Sequence, residues 1–133
     1  MNNKRRIFVF GNPRVRADSL PLWILPKLRK RFPKIEFVVA DPTEMLDYSG
    51  EEVWILDSAT GIADLTIFEH LSAFQSSPHV SVHDYDLALE LKLLQKLGKL
   101  GKVRIVALPT TMGESEALAR VSSCLTSLFG NQG

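Results

Sequence analysis

The sequence predicts an α/β fold, a three-layer sandwich in which a mostly parallel, twisted sheet of about five strands carries helices on both faces. Three observations point there. Short apolar runs of strand length recur along the chain, at residues 7–10, 35–40, 53–56 and 103–108. Apolar residues at helical spacing fill intervals between them, and Gly, Pro, Asn and Asp mark the junctions. The 133 residues, 45% of them hydrophobic, fit one domain spanning 1–133, long enough to bury about two-thirds of its unfolded surface without disulfides.

In chain order, Ile7–Phe10 reads as strand one, entering a Gly11-Asn12-Pro13 loop that delivers Asp18. A helix should follow, with Asp18 or Ser19 as its cap, Pro21 in its first turn and Leu20, Trp23, Ile24 and Leu28 on one face. Pro26 should kink it by removing an interior hydrogen bond. Ile35–Ala40 is strand two, Asp41-Pro42-Thr43 turns the chain, and a short helical segment surrounds Glu44 to Leu46. Val53–Leu56 is strand three and delivers Asp57 at its carboxyl end, on the exposed rim of the sheet. Leu65–Phe68 suits a further short strand. His83 precedes a leucine-rich helix in which Leu87, Leu91 and Leu94 form one stripe, Leu89, Leu93 and Leu97 widen it, and Gly98 stops it. Val103–Leu108 is the next strand, and Ser115–Phe129 the last helix, its core stripe running through Leu118, Val121, Cys124, Leu125 and Leu128.

Composition narrows the function classes. No apolar run approaches the roughly 20 residues needed to span a bilayer, and Met1–Arg6 leads into only four apolar residues, which argues against a signal peptide. The single cysteine, Cys124, excludes an internal disulfide and fits a cytoplasmic protein. The formal net charge of +1 hides an asymmetry: residues 1–34 hold ten Lys or Arg against one acid, and the remainder six against fourteen. Such a field can steer an acidic partner or a nucleic acid. The plainer reading is that Lys27, Arg29, Lys30 and Arg31 are the solvated face of helix one. No aromatic or glycine pattern of a nucleic-acid module accompanies them, and Gly11-Asn12-Pro13 lacks the repeated glycines of a dinucleotide site.

Asp18, Asp57 and His83 follow or precede elements that, in a doubly wound sheet, meet at one carboxyl edge. Two carboxylates and an imidazole suit a divalent metal with open coordination positions, nickel and zinc among them. A helix start beside His83 disfavours the imidazolium and keeps the ring able to bind metal. Each residue also has an ordinary reading: Asp18 as a helix cap, Asp57 as a strand-end turn former, His83 as a loop histidine. Spacing alone does not choose between them.

From Ile7 to about Leu128 the chain resembles the nickel-iron hydrogenase maturation endopeptidases. The resemblance rests on Gly11, Asn12 and an acid six positions on, Asp18; on Asp57-Ser58-Ala59 after an apolar strand, where that family has an Asp-Ala type motif; and on Ser81-Val82-His83 ahead of a leucine-rich helix. There are departures. Ala17 stands where a second acid is common, Arg14 and Arg16 replace apolar residues, Pro42 takes the place of a turn glycine, and Ile62-Ala63-Asp64 replaces a Pro-Gly.

The resemblance implies a metal-dependent endopeptidase that removes the C-terminal extension from a nickel-loaded precursor of a hydrogenase large subunit. Asp18, Asp57 and His83 would bind the substrate's nickel and form the catalytic set. Gly11, Asn12, Asp41 and Thr43 would take part in substrate recognition. The metal would serve either as a Lewis acid or as a recognition handle, and zinc or cadmium could stand in for nickel in the resting protein. A covalent nucleophile is not expected, because Cys124 is placed in the core and no Ser-His-Asp order exists. The expected protein is a cytoplasmic monomer with no membrane contact. The alternative from another class is a non-enzymatic binding or chaperone-like module on the same fold. His70 and His79 are expected to play no part.

Overall fold

A computed structural model describes residues 5–11, 19–40, 52–59, 61–70, 91–98 and 101–130. Among them, five strands form one sheet: β1 (Arg5–Val9), β2 (Ile35–Val39), β3 (Glu52–Ala59), β4 (Thr66–Phe68) and β5 (Lys102–Pro109), in the order β2-β1-β3-β5-β4. β1 pairs in parallel with β2 and β3, and β3 with β5, while β4 runs antiparallel along β5. The helices are α1 (Leu20–Arg31), α2 (described over residues 91–96) and α3 (Glu114–Phe129). The expected α/β sandwich with a mostly parallel sheet is the fold observed.

Strand ends differ from the expected ones where polar residues continue the register. β1 begins at Arg5 because Arg5 and Arg6 still pair with Ile35 and Glu36, and the Arg6 guanidinium meets the Glu36 carboxylate at 3.1 Å. β3 gains Glu52 at one end and Asp57, Ser58 and Ala59 at the other, paired with β5 as far as Pro109. The four-residue apolar run marked only the middle of an eight-residue strand.

Alternation along the strands sorts the core into two layers. Ile7, Val9, Trp54, Leu56, Val106 and Leu108 face α1 and α3, where Ile24, Leu28, Val121 and Leu125 meet them. Phe8, Phe10, Val53, Ile55 and Ile105 face the other way and pack with Leu91 of α2. Helices therefore cover both faces, as a parallel sheet requires to bury both of its sides.

Several side chains lie elsewhere than the periodicity suggested. Ser19 holds the cap position of α1, yet its side chain makes no capping bond; its carbonyl accepts from the Leu22 and Trp23 N–H groups. Trp23 is 41% exposed instead of sharing the core face with Leu20, Ile24 and Leu28. α1 runs on through Pro26, held by the burial of Ile24, Leu25 and Leu28 around the missing hydrogen bond. In α2, Leu91 is buried and Leu94 packs beside it, whereas Leu93 and Leu97 are exposed. Leu128 is likewise exposed at the end of α3. An all-leucine pattern names no single inward stripe when only one side of a helix meets the sheet. Gly98 and Gly130 end their helices at φ +71 and +77, a conformation that suits glycine. Cys124 is half-buried against the core, and desolvation raises its thiol pKa above the ordinary value.

The amino edge of the sheet is bound together by charge and aromatic contacts. Arg104 of β5 meets Glu52 at 2.8 Å and Glu69 at 2.9 Å and lies 5.3 Å from the Trp54 ring centroid. Trp54 in turn meets Phe129 edge-on at 5.1 Å, and Arg5 sits 4.2 Å from the Phe129 ring centroid. These contacts tie the first strand, two central strands and the end of α3.

Candidate active site at the carboxyl edge

β3 and β5 are adjacent inner strands, so a residue near the end of β3 is hemmed in on both sides. Asp57 stands there opposite Ala107 and is 1% exposed. Its Oδ1 accepts a hydrogen bond from the Ser58 N–H at 2.8 Å. By alternation it shares a face with Ile55 and Ala59, the face that α2 covers. The expectation of an acid exposed on a strand-end loop is corrected: Asp57 lies within the strand, two residues before its end, because pairing with β5 continues through Ala59. Burying a carboxylate in such a run costs several kcal/mol unless hydrogen bonds or a cation meet it, at roughly 2–7 kcal/mol even for a neutral polar group. Apolar packing would be served as well by another valine.

The first strand ends at the same level. The Phe10 N–H donates to the Leu56 carbonyl and the Ala40 N–H to the Val9 carbonyl, both at 2.8 Å. Continuing that register by one residue sets Phe10 beside Asp57, so the half-buried Gly11 leaves the sheet next to Ser58. Ser19, 2% exposed, opens α1, whose start must lie at this same edge because the helix runs back along a parallel strand.

Ser58 is the residue the sequence reading passed over. It is 4% exposed, and among the described residues its Oγ has no hydrogen-bond partner. It alternates with Asp57 and so faces α1 and α3. A buried hydroxyl left unpaired costs about 1–3 kcal/mol. The only signal in the sequence was a serine where the resembling motif has alanine.

Of the expected site residues, Asp57 and Gly11 are thus brought to one edge. Asp18, His83, Asn12, Asp41 and Thr43 lie outside the described residues. Among the described residues no group of three or more His, Cys, Asp or Glu could hold a metal ion, which leaves Asp57 as the one expected ligand whose surroundings are seen. His70 follows β4, which runs antiparallel and so carries the chain toward the amino edge, away from Asp57.

No family model matches the chain, and no curated protein matches it. Solved structures do. The fold is similar to the hydrogenase maturating endopeptidase HybD from E. coli, with a TM-score of 0.68 at 17% identity over 94% of each chain. It is similar also to an endopeptidase from Escherichia coli solved in solution, TM-score 0.62 at 19% identity over 93% of this chain and 94% of that one. An uncharacterized protein from Wolinella succinogenes aligns with a TM-score of 0.58 at 11% identity, over 94% and 99% of the two chains. The expected resemblance therefore holds at the level of the fold, over 94% of the chain.

Proposed function

We propose that this chain is a peptidase of the hydrogenase maturation type, cleaving the C-terminal extension from a nickel-loaded large-subunit precursor. The observation that carries the reading is Asp57: a carboxylate buried near the carboxyl end of a central strand, in a fold similar to HybD over 94% of its length. Asp18 and His83 complete the proposed set, with Gly11, Asn12, Asp41 and Thr43 in contact with the substrate. Two carboxylate oxygens and an imidazole nitrogen form a donor set that suits nickel, and zinc or cadmium as substitutes in the resting protein.

The nickel belongs to the substrate. Asp57 would hold one of its coordination positions from a fixed strand, and the Ser58 N–H keeps the carboxylate turned by its bond to Oδ1. A precursor without metal would then dock poorly, so cleavage waits for nickel. A carboxylate of the set is available as general base toward the attacking water. Among the described residues no helix is long and apolar enough to cross a membrane; the proposed enzyme acts in the cytoplasm as a monomer.

The test is cleavage of a purified nickel-loaded precursor, followed by mass spectrometry. The wild-type chain is expected to shorten the loaded precursor and spare the unloaded one. Asp18→Ala, Asp57→Ala and His83→Ala are each expected to stop cleavage. Cleavage by all three variants, or none by the wild type, would overturn the proposal.

A further inference from the structure

We infer that the open edge of β2 is a docking site for an acidic peptide in extended conformation, which adds to the sheet as a sixth strand. Among the described residues β2 is the outermost strand on its side. The Ala40 N–H donates to Val9 across the β1 pairing, and in a parallel ladder the residues that bond to one neighbour alternate with those that point away. Glu36, Val38 and Ala40 thus serve β1, and Ile35, Phe37 and Val39 turn their backbone groups outward. Two of these outward groups are occupied: the Ile35 N–H bonds to the Phe32 carbonyl at 3.0 Å, and the Phe37 carbonyl accepts from Arg29 Nη2 at 3.2 Å. Among the described residues the Ile35 carbonyl, the Phe37 N–H and both groups of Val39 remain on the open side, and Val39 is 42% exposed.

Charge selects the occupant. The Arg29 bond shows that the last turns of α1 overhang this edge. Lys27, Arg29, Lys30 and Arg31 of α1 and Lys34 of the following turn are all exposed. Among the described residues Arg6, Arg104 and Arg120 are paired with acids, but no ion pair engages Lys27, Lys30 or Lys34. A basic last turn suits the helix dipole, yet Lys34 lies beyond the helix, whereas Lys27 shares a helix face with Arg31, which bonds to Ser122 of α3 at 3.1 Å. A partner carrying carboxylates would meet Lys30 and Lys34 while its main chain bonded to Phe37 and Val39. A nucleic acid would use the charge but has no strand to offer the edge. A peptide along the five residues of β2 would run about 16 Å, from the basic end toward the carboxyl edge. The inference does not depend on the peptidase reading.

The test uses the full chain and three fluorescent probes: an extended peptide of alternating Glu and Val, its Lys-Val counterpart, and a single-stranded oligonucleotide of equal charge. Anisotropy is expected to show binding of the acidic peptide alone, weakened by salt. Lys30→Glu combined with Lys34→Glu is expected to weaken it roughly tenfold. Val39→Pro is expected to abolish it, because the proline removes an outward N–H and leaves the β1 pairing untouched. In NMR the Phe37 and Val39 amides should shift on binding while the Val38 amide stays protected, a readout that stands even if the proline variant misfolds. Equal or tighter binding of the oligonucleotide, no binding of the acidic peptide, or shifts confined to other residues would overturn the inference.

Discussion

The two ends of the sheet are built on opposite terms. At the amino edge the charges are paired within the chain: Arg104 meets two glutamates, Arg6 meets Glu36, and Trp54 and Phe129 lie between Arg104 and Arg5, with the buried Trp54 Nε1 the group there that has no hydrogen-bond partner among the described residues. At the carboxyl edge, β3 carries an acid and a serine into a buried position between strands, and among the described residues the serine's hydroxyl has no hydrogen-bond partner. The first end pairs its charges within the chain, and the second buries a carboxylate and a hydroxyl where apolar side chains would pack at less cost. Stability is expected to follow the first end and activity the second.

Exchanging the roles of the two ends gives the sharpest tests. The largest effect should come from Asp57→Ala, with precursor cleavage falling at least about a hundredfold; a variant within a fewfold of wild type would place the chemistry elsewhere. Next is Trp54→Ala at the amino edge, which removes the ring that Arg104 and Phe129 both touch. Denaturant unfolding is expected to show a loss of about 3–5 kcal/mol, with cleavage per folded molecule unchanged. Ser58→Ala should act in the opposite sense: removing an unpaired hydroxyl is expected to raise stability by up to about 1 kcal/mol. A loss of that size would mean the hydroxyl has a partner that folds the chain.

The smallest effect concerns Cys124. Burial raises its thiol pKa, so its contribution is fully present below the ordinary thiol value. As pH climbs through that value the unfolded chain releases the proton first, and stability falls until the folded pKa is passed. Cys124→Ala is expected to flatten this alkaline decline in urea melts. It should leave cleavage unchanged, since the half-buried thiol packs on the core.

Much of the fold was legible because apolar runs are physically costly to leave exposed. Ile7–Phe10, Val53–Leu56 and Val103–Leu108 could only be buried strands: the last two became the middle of one, and the first runs through the end of β1, with Phe10 just past it. The ends were not legible, since Glu52, Asp57 and Lys102 are ordered by register with a neighbour and not by their own preference. The same limit hid Arg104, a lone cation in an apolar run, whose partner Glu52 is 52 positions away and comes beside it only when β3 and β5 pair. Leucines at 93, 97 and 128 misled because periodicity reports a helix without saying which side meets the sheet. At the site, Asp57 stood out as an acid closing an apolar run, while Ser58 entered only as the middle residue of the Asp57-Ser58-Ala59 motif until its burial was seen.

The most direct test of the division between the two ends is the melting temperature of Asp57→Asn, a substitution that keeps the shape and the Oδ1 acceptor while removing the charge. If the carboxylate is held for a ligand, the variant melts at or above the wild-type temperature and does not cleave the nickel-loaded precursor. A fall of more than about 5 °C, the equivalent of roughly 1 kcal/mol in a domain of this size, would make Asp57 a structural acid and contradict the account.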